Sequence, residues 1–208
     1  MKTEINIDTW ERKDHFNFFG KFTEPFWGIC TNVDCTNVYL RAKSEGVSFY
    51  LYYLYLSLKA ANEIDEFKYR VEDGKLFCYD TVHAAPTVDR EDGTFGFAIF
   101  EYKNALNEFI SLAKKETEIV RTEHGLNIPL NDNLNVIHYS TVPWIQFTGL
   151  SHARHFGFND YIPKITFGKI YDDNGLKKLP IAIHVNHALV DGLHVGKYLE
   201  LFQKYLNE

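Results

Sequence analysis

His184-Val185-Asn186-His187-Ala188-Leu189-Val190-Asp191-Gly192-Leu193-His194 is the stretch on which the reading of this chain turns. The residues leading into it, Leu179 to Asn186, read as a strand, with Ile181, Ile183, Val185 and His187 on one face because side chains alternate with period two. The residues after it, Leu193 to Leu206, put Val195, Leu199, Phe202 and Leu206 on one helical face. A strand therefore stops at an imidazole, and a helix starts behind an acid and a glycine. A histidine in that place takes up a proton near neutral pH, and partial burial keeps it neutral, which suits a general base. The competing reading of one histidine on an apolar strand face is a hydrogen-bonded core residue, and an H-x-x-x-D-G match alone does not choose between the two. A metal site fits poorly. His184 and His187 stand three apart on a strand and point to opposite faces, and no Cys or Glu falls at ligand spacing beside His194.

Working outward, the last third is strand-rich: Asn135 to Ser140, Trp144 to Thr148, Lys164 to Tyr171 and Lys178 to His187 are expected strands. Asp172-Asp173-Asn174-Gly175 joins the last two as a hairpin. Earlier in the chain, Glu4 to Ile7 and Phe26 to Val33 read as strands, and Phe67 to Asp80 as a hairpin turning at Glu72-Asp73-Gly74. Phe95 to Tyr102 is a further strand. Helices are expected from Trp10 to Phe19 behind an Asp8 or Thr9 cap, and from Asp34 to Ser44 with Gly46 as the stop. Ser48 to Ile64 reads as a central buried helix, and Asn104 to His124 as an amphipathic one. Helices and antiparallel hairpins mix without a βαβ rhythm. The expected class is α+β, a two-layer sandwich of a mixed β-sheet covered by helices.

With 208 residues and neither linker nor repeat, the chain reads as one domain, residues 1–208. A net charge of −6 leaves no basic stripe for phosphates, which argues against nucleic acid. The longest apolar run, Val47 to Leu58, holds four tyrosines and two serines, too short and too polar to span a bilayer. Met1-Lys2-Thr3-Glu4 is not followed by a signal core, and three cysteines without a C-x-x-C pair fit a reducing compartment; a cytoplasmic protein is expected. Cys30 has nothing beside it in sequence to activate it and reads as a buried thiol. No P-loop or G-x-G-x-x-G string supports nucleotide binding of those kinds.

Four stretches follow one another along the whole chain: Trp10-Glu11-Arg12-Lys13-Asp14-His15-Phe16; Asn135 to Trp144, with Ser140 and Pro143-Trp144; Asn159-Asp160-Tyr161 with Thr166 and Lys169; and Asp191-Gly192-Leu193-His194-Val195. Together they resemble the trimeric chloramphenicol acetyltransferases, whose signatures read W-x-R-[KR]-[ED]-H-F, N-x-S-x-x-P-W and D-G-F-H-V. The H-x-x-x-D-G string alone is shared more widely, with dihydrolipoamide acyltransferases and peptide-synthetase condensation domains.

The resemblance implies acetyl transfer from acetyl-CoA to a hydroxyl of chloramphenicol or a related small acceptor. His187 would be the general base and Ser140 the donor to the oxyanion, by direct attack without an acyl-enzyme. It implies that Asp191 pairs with Arg12 and braces the turn rather than completing a Ser-His-Asp triad, and that Gly192 lets the chain turn tightly. Thr166, Lys169 and Tyr171 would lie on the coenzyme side, and Phe18, Phe19 and Trp27 in the acceptor pocket. No metal is implied. The partners implied are a small hydroxyl acceptor and two further copies, a homotrimer whose sites lie between subunits. Four positions depart from the pattern: Asn186 precedes His187 where the family has a second histidine, Phe19 replaces a pocket tyrosine, His138 replaces an asparagine, and Ile170 replaces a tyrosine that packs on adenine. The alternatives are an acyltransferase of the dihydrolipoamide type, against which the chain shows no lipoyl segment or Ala/Pro-rich linker, and a non-catalytic ligand-binding relative.

Overall fold

The apolar run that is too polar for a membrane becomes the helix around which the protein packs. A computed structural model describes residues 1–127, 134–156 and 159–208. In chain order the elements are β1 (Lys2–Ile5), a 3-10 turn (Ile7–Thr9), α1 (Lys13–Phe19), β2 (Phe26–Asp34), α2 (Thr36–Glu45), α3 (Phe49–Asn62) and α4 (Asp65–Lys68). There follow β3 (Tyr69–Glu72), β4 (Lys75–Tyr79), β5 (His83–Asp89), β6 (Phe95–Phe97), α5 (Leu106–Thr122) and β7 (Val136–Thr141). The chain ends with β8 (Lys164–Phe167), β9 (Tyr171–Asp173), β10 (Leu176–Asn186) and α6 (Gly192–Asn207). Ser48 starts α3 by accepting the Leu51 N–H at 3.3 Å. The helix is apolar all round and is buried on nearly every side, as such a helix must be.

The main sheet runs β2-β10-β8-β7-β5-β6, with β9 also pairing β10. It is mixed: β7 lies parallel to β5 and to β8, and β10 runs antiparallel to β8 and β2. A second sheet, β1-β4-β3, stands beside it. The expected two-layer α+β sandwich is what forms. Tyr139, Ile165, Phe167, Ile181, Ile183 and Val185 turn from one sheet face onto α3 and α6 and are buried there. Ser57 on α3 ties the layers together through the hydroxyls of Tyr139 (3.0 Å) and Tyr198 (2.6 Å). Both hairpin turns fall where the sequence puts them, Asp73-Gly74 and Asn174-Gly175, each with two positive φ angles. No helix among the described residues is long and apolar enough to cross a membrane.

Several boundaries differ from the sequence reading, and prolines explain two of them. Lys164–Tyr171 is not one strand. Pro180 has no N–H to continue the ladder opposite Gly168, so β8 stops at Phe167, and the Gly168 N–H donates to the Pro180 carbonyl at 2.9 Å. Phe95–Tyr102 likewise shrinks to Phe95–Phe97 plus one bridge at Phe100, because Pro86 on β5 cannot donate to the ladder. The expected Trp144–Thr148 strand is a turn and an irregular run; Pro143 sits in that turn and the Ile145 N–H returns to the Val142 carbonyl. The first helix starts at Lys13 rather than Trp10. Asp8 and Thr9 belong to the 3-10 turn, which Asn6 caps, and Trp10 is extended. Strand β5 was not anticipated, since His83-Ala84-Ala85-Pro86 lacks the β-branched residues that mark a strand.

Candidate active site

β10 delivers His187 to the end of the sheet, where the Trp27 indole N–H holds the following turn by donating to the Val190 carbonyl at 3.1 Å. The His187 N–H donates to the Pro25 carbonyl at 2.8 Å. Phe19, from α1, lies flat on the imidazole with ring centres 3.9 Å apart and planes 16° apart, and Trp27 stands 5.5 Å away. Nδ1 of His187 is buried without a partner among the described residues, which leaves Nε2 as the ring nitrogen open to an incoming group. Asn186 pins the turn from both sides of its amide. Its Nδ2 donates to the Asp160 carbonyl and its Oδ1 accepts the Ala188 N–H, each at 2.9 Å.

The Asp191 carboxylate turns away from His187. One oxygen takes the Arg12 guanidinium at 2.5 Å, and the other caps α6 by accepting the Leu193 N–H at 3.0 Å. Burial alone would raise this carboxyl, but the Arg12 hydrogen bond and the charges of His194 and Arg12 hold it below the ordinary carboxylate range. His194 closes the capping box, its Nδ1 accepting the Asp191 N–H at 3.1 Å while Nε2 lies 3.2 Å from Glu66. Among the described residues the Nε and Nη2 of Arg12 are buried without partners, and Asp191 is the one acceptor its guanidinium meets. Gly192 needs no special conformation: its φ is not positive, and a Cβ there would meet nothing within 4 Å. The tight-turn reason expected for it does not hold within this chain.

Ser140 is elsewhere. The register pairs Ser140 with Thr166 and Thr166 with Ala182, five residues before His187 on β10. At ~3.3 Å per residue and ~4.8 Å per strand spacing, that is ~16 Å along the sheet and ~10 Å across it, ~19 Å in all. The faces differ too. Ser140, Thr166, Ala182 and His184 share the face away from α3, whereas His187 continues the row of Val185. That outer face is crossed by the segment after β7. His184 Nε2 donates to the Leu150 carbonyl at 3.1 Å, and its ring lies where a side chain on Gly28 would have to be.

A cavity of about 1130 Å³ lies between α3, α5 and the ends of β5, β7 and β8, with Ser140 among the residues that line it where β7 ends. Phe49, Tyr50, Tyr53 and Trp144 give it aromatic walls; Arg90, Lys114 and Arg121 bring cations to it. The sequence reading missed this wall; the exposed Trp144 after Pro143 was its one legible sign. The three expected coenzyme-side residues fare differently. Thr166 is only 1% exposed and lies 3.4 Å from His152 Nε2, while Lys169 is exposed and Tyr171 half-buried, on either side of the cavity-lining Ile170. Phe18 is 60% exposed, beside Phe19 and Phe22. The structure thus gathers His187, Phe19, Trp27, Arg12 and Asp191 at one end of the sheet and leaves Ser140 and Thr166 toward the other.

The fold defines the class as a two-layer α+β sandwich built on a mixed sheet. A dihydrolipoamide acetyltransferase of Azotobacter vinelandii superposes with a TM-score of 0.67 over 94% of this chain and 86% of its own, at 15% identity, a likeness of fold alone. Within that class the chain belongs to the chloramphenicol acetyltransferase family, whose model matches residues 1–203. Chloramphenicol acetyltransferases of Klebsiella sp (29% identical; 99% of this chain, 94% of the relative) and Clostridium perfringens (27%; 98% of each) align along essentially its whole length. A solved chloramphenicol acetyltransferase superposes with a TM-score of 0.93 at 32% identity, covering 99% of this chain and 100% of the other. Acetyl transfer is the activity that this membership supports.

Proposed function

We propose that the protein transfers the acetyl group of acetyl-CoA to a hydroxyl of chloramphenicol or a related small acceptor, in a site shared between two copies of the chain. What supports the shared site is the ~19 Å between Ser140 and His187 within one chain, on opposite sheet faces. Two groups so placed act on one reacting carbon only when they come from different subunits, as in the trimer that the resemblance implies. Nε2 of His187 takes the acceptor's proton as its oxygen attacks the thioester carbonyl, and Ser140 from the neighbouring copy donates to the oxygen on which charge develops. Because both substrates are held together, attack is direct and no acyl-enzyme is needed.

Phe19 and Trp27 fix the imidazole plane, and the Phe19 face favours the imidazolium as it forms. Arg12 and Asp191 hold the turn that carries it. The cavity beside Ser140 fits a pantetheine arm in size and in its aromatic walls, and Lys114 would meet the coenzyme's phosphates, whereas Arg121 is taken up by Asp89 and Glu118. Bound there, acetyl-CoA supplies the activated acetyl carbonyl. The reading is tested by following free-thiol release from acetyl-CoA with chloramphenicol and a panel of small alcohols. Acceptor-dependent release supports it, and no release with any of them refutes it.

A further inference from the structure

On β7 the face that carries Ser140 also carries His138, one alternation earlier, and a side chain two residues along a strand stands ~7 Å away. The cavity lies on the other side of Ser140, toward Thr141, Pro143 and Trp144. A coenzyme reaching Ser140 from that side leaves the His138 side for the acceptor. His138 is the exposed member of an otherwise largely buried strand. Its inner edge meets Lys164, opposite it on β8. The Lys164 ammonium is nearly buried and donates to Asp160 Oδ2 at 2.6 Å and, more weakly, to the Ile162 carbonyl at 3.4 Å. It stands 3.5 Å from His138 Nδ1.

An ammonium has donors only, so the nitrogen facing it must be the acceptor and the ring proton must sit on Nε2. Nε2 makes no hydrogen bond among the described residues and faces outward, on the Ser140 side of the sheet. The titratable groups around the ring are Lys164 on β8, Asp160 before it, Arg70 on β3 and His152 in the segment after β7. Burial of the inner edge and the Lys164 charge push the imidazole down to about 4.

We propose that His138 determines acceptor specificity: a neutral imidazole, locked by Lys164 as the Nε2–H tautomer, donates a hydrogen bond to a second oxygen of the acceptor, ~7 Å along β7 from the oxyanion donor Ser140. The proposal rests on the oxyanion role given to Ser140 above. An asparagine, which the family carries at this position, offers a donor and an acceptor; the locked imidazole offers a donor alone. The favoured substrates are therefore small alcohols that also carry a carbonyl, nitro or ether oxygen.

Two measurements test it. Long-range 1H–15N correlations of labelled protein, with the His138 signals identified by their loss in His138→Asn, report the tautomer without any substrate. Nε2–H from pH 5.5 to 8 is expected, and an Nδ1–H tautomer or a titration near pH 6.5 overturns the proposal. Thiol release is then measured on paired acceptors with and without the second oxygen. His138→Ala should raise KM about tenfold for the oxygen-bearing acceptor. It should spare the deoxygenated one and the KM for acetyl-CoA, and His138→Asn should recover part of the loss. Equal losses on both acceptors, or a shifted coenzyme KM, overturn the proposal. Failure of the transferase reading looks different, since the wild-type protein then releases no thiol with any acceptor.

Discussion

Two inactive variants of this protein should make an active one. His187→Ala removes the base and Ser140→Ala the oxyanion donor; each should lower turnover by a factor of about 10² or more. Within a chain the two residues are ~19 Å apart at the backbone, and their side chains together reach ~7 Å toward each other, leaving ~12 Å where a hydrogen bond needs ~3 Å. A working site must then join His187 of one copy to Ser140 of the next. Equal amounts of the variants, unfolded together and refolded or co-expressed, assemble at random. Each interface has an even chance of an intact His187 on one side and of an intact Ser140 on the other. About one site in four is whole, whatever the number of subunits in the ring. Thiol release by the mixture should reach about a quarter of the wild-type rate, far above either parent. A mixture shown by native mass spectrometry to contain hetero-oligomers, yet no more active than its parents, would refute the shared site.

Further outcomes follow from the brace and the stack. Arg12→Ala and Asp191→Ala should each destabilise the protein by about 3 kcal/mol, read from urea midpoints at fixed protein concentration, because the survivor is left charged and largely buried. The double variant should fall short of the sum by more than 1 kcal/mol; additivity would mean the pair is not coupled. The Asp191 carboxyl titrates below its unfolded value, so its contribution is complete above the unfolded pKa, near 3.9, and is lost as pH falls through the folded one. Wild-type stability should accordingly drop more steeply than that of Asp191→Asn below about pH 4, and parallel curves would contradict this. Phe19→Leu removes the ring that lies 3.9 Å from the imidazole and should lower kcat about fivefold with the KM for acetyl-CoA unchanged; an unchanged kcat would deny Phe19 any part in holding the imidazole in place.

Much of the architecture was legible because the strongest sequence signals are local. Asp73-Gly74 and Asn174-Gly175 demand positive φ angles and take them. The Ser48 helix declares itself by a cap and fourteen residues with hardly a polar face. What escaped depended on a neighbouring strand. Nothing in Lys164–Tyr171 says that it will end at Gly168; that follows from Pro180, which lies opposite it on β10 and lacks the N–H to go on. Strand β5 hid because Ala84, Ala85 and Pro86 carry no strand preference of their own and are held by β7.

At the site, parity alone put His187 in the row of Val185, and its place by Trp27 and Phe19 agrees. The partnership of Arg12 with Asp191, 179 residues apart, came only from the family pattern. The distance between Ser140 and His187 came from neither. It is a property of register, and only the assembled sheet carries it.

The central claim is that His187 deprotonates a hydroxyl that then takes the acetyl group from acetyl-CoA. The most direct measurement is thiol release from acetyl-CoA with and without chloramphenicol, by the wild-type protein and by a folded His187→Ala variant. The account predicts chloramphenicol-dependent release by the wild type, slowed by a factor of about 10² or more in the variant. Release at the wild-type rate by His187→Ala would contradict it.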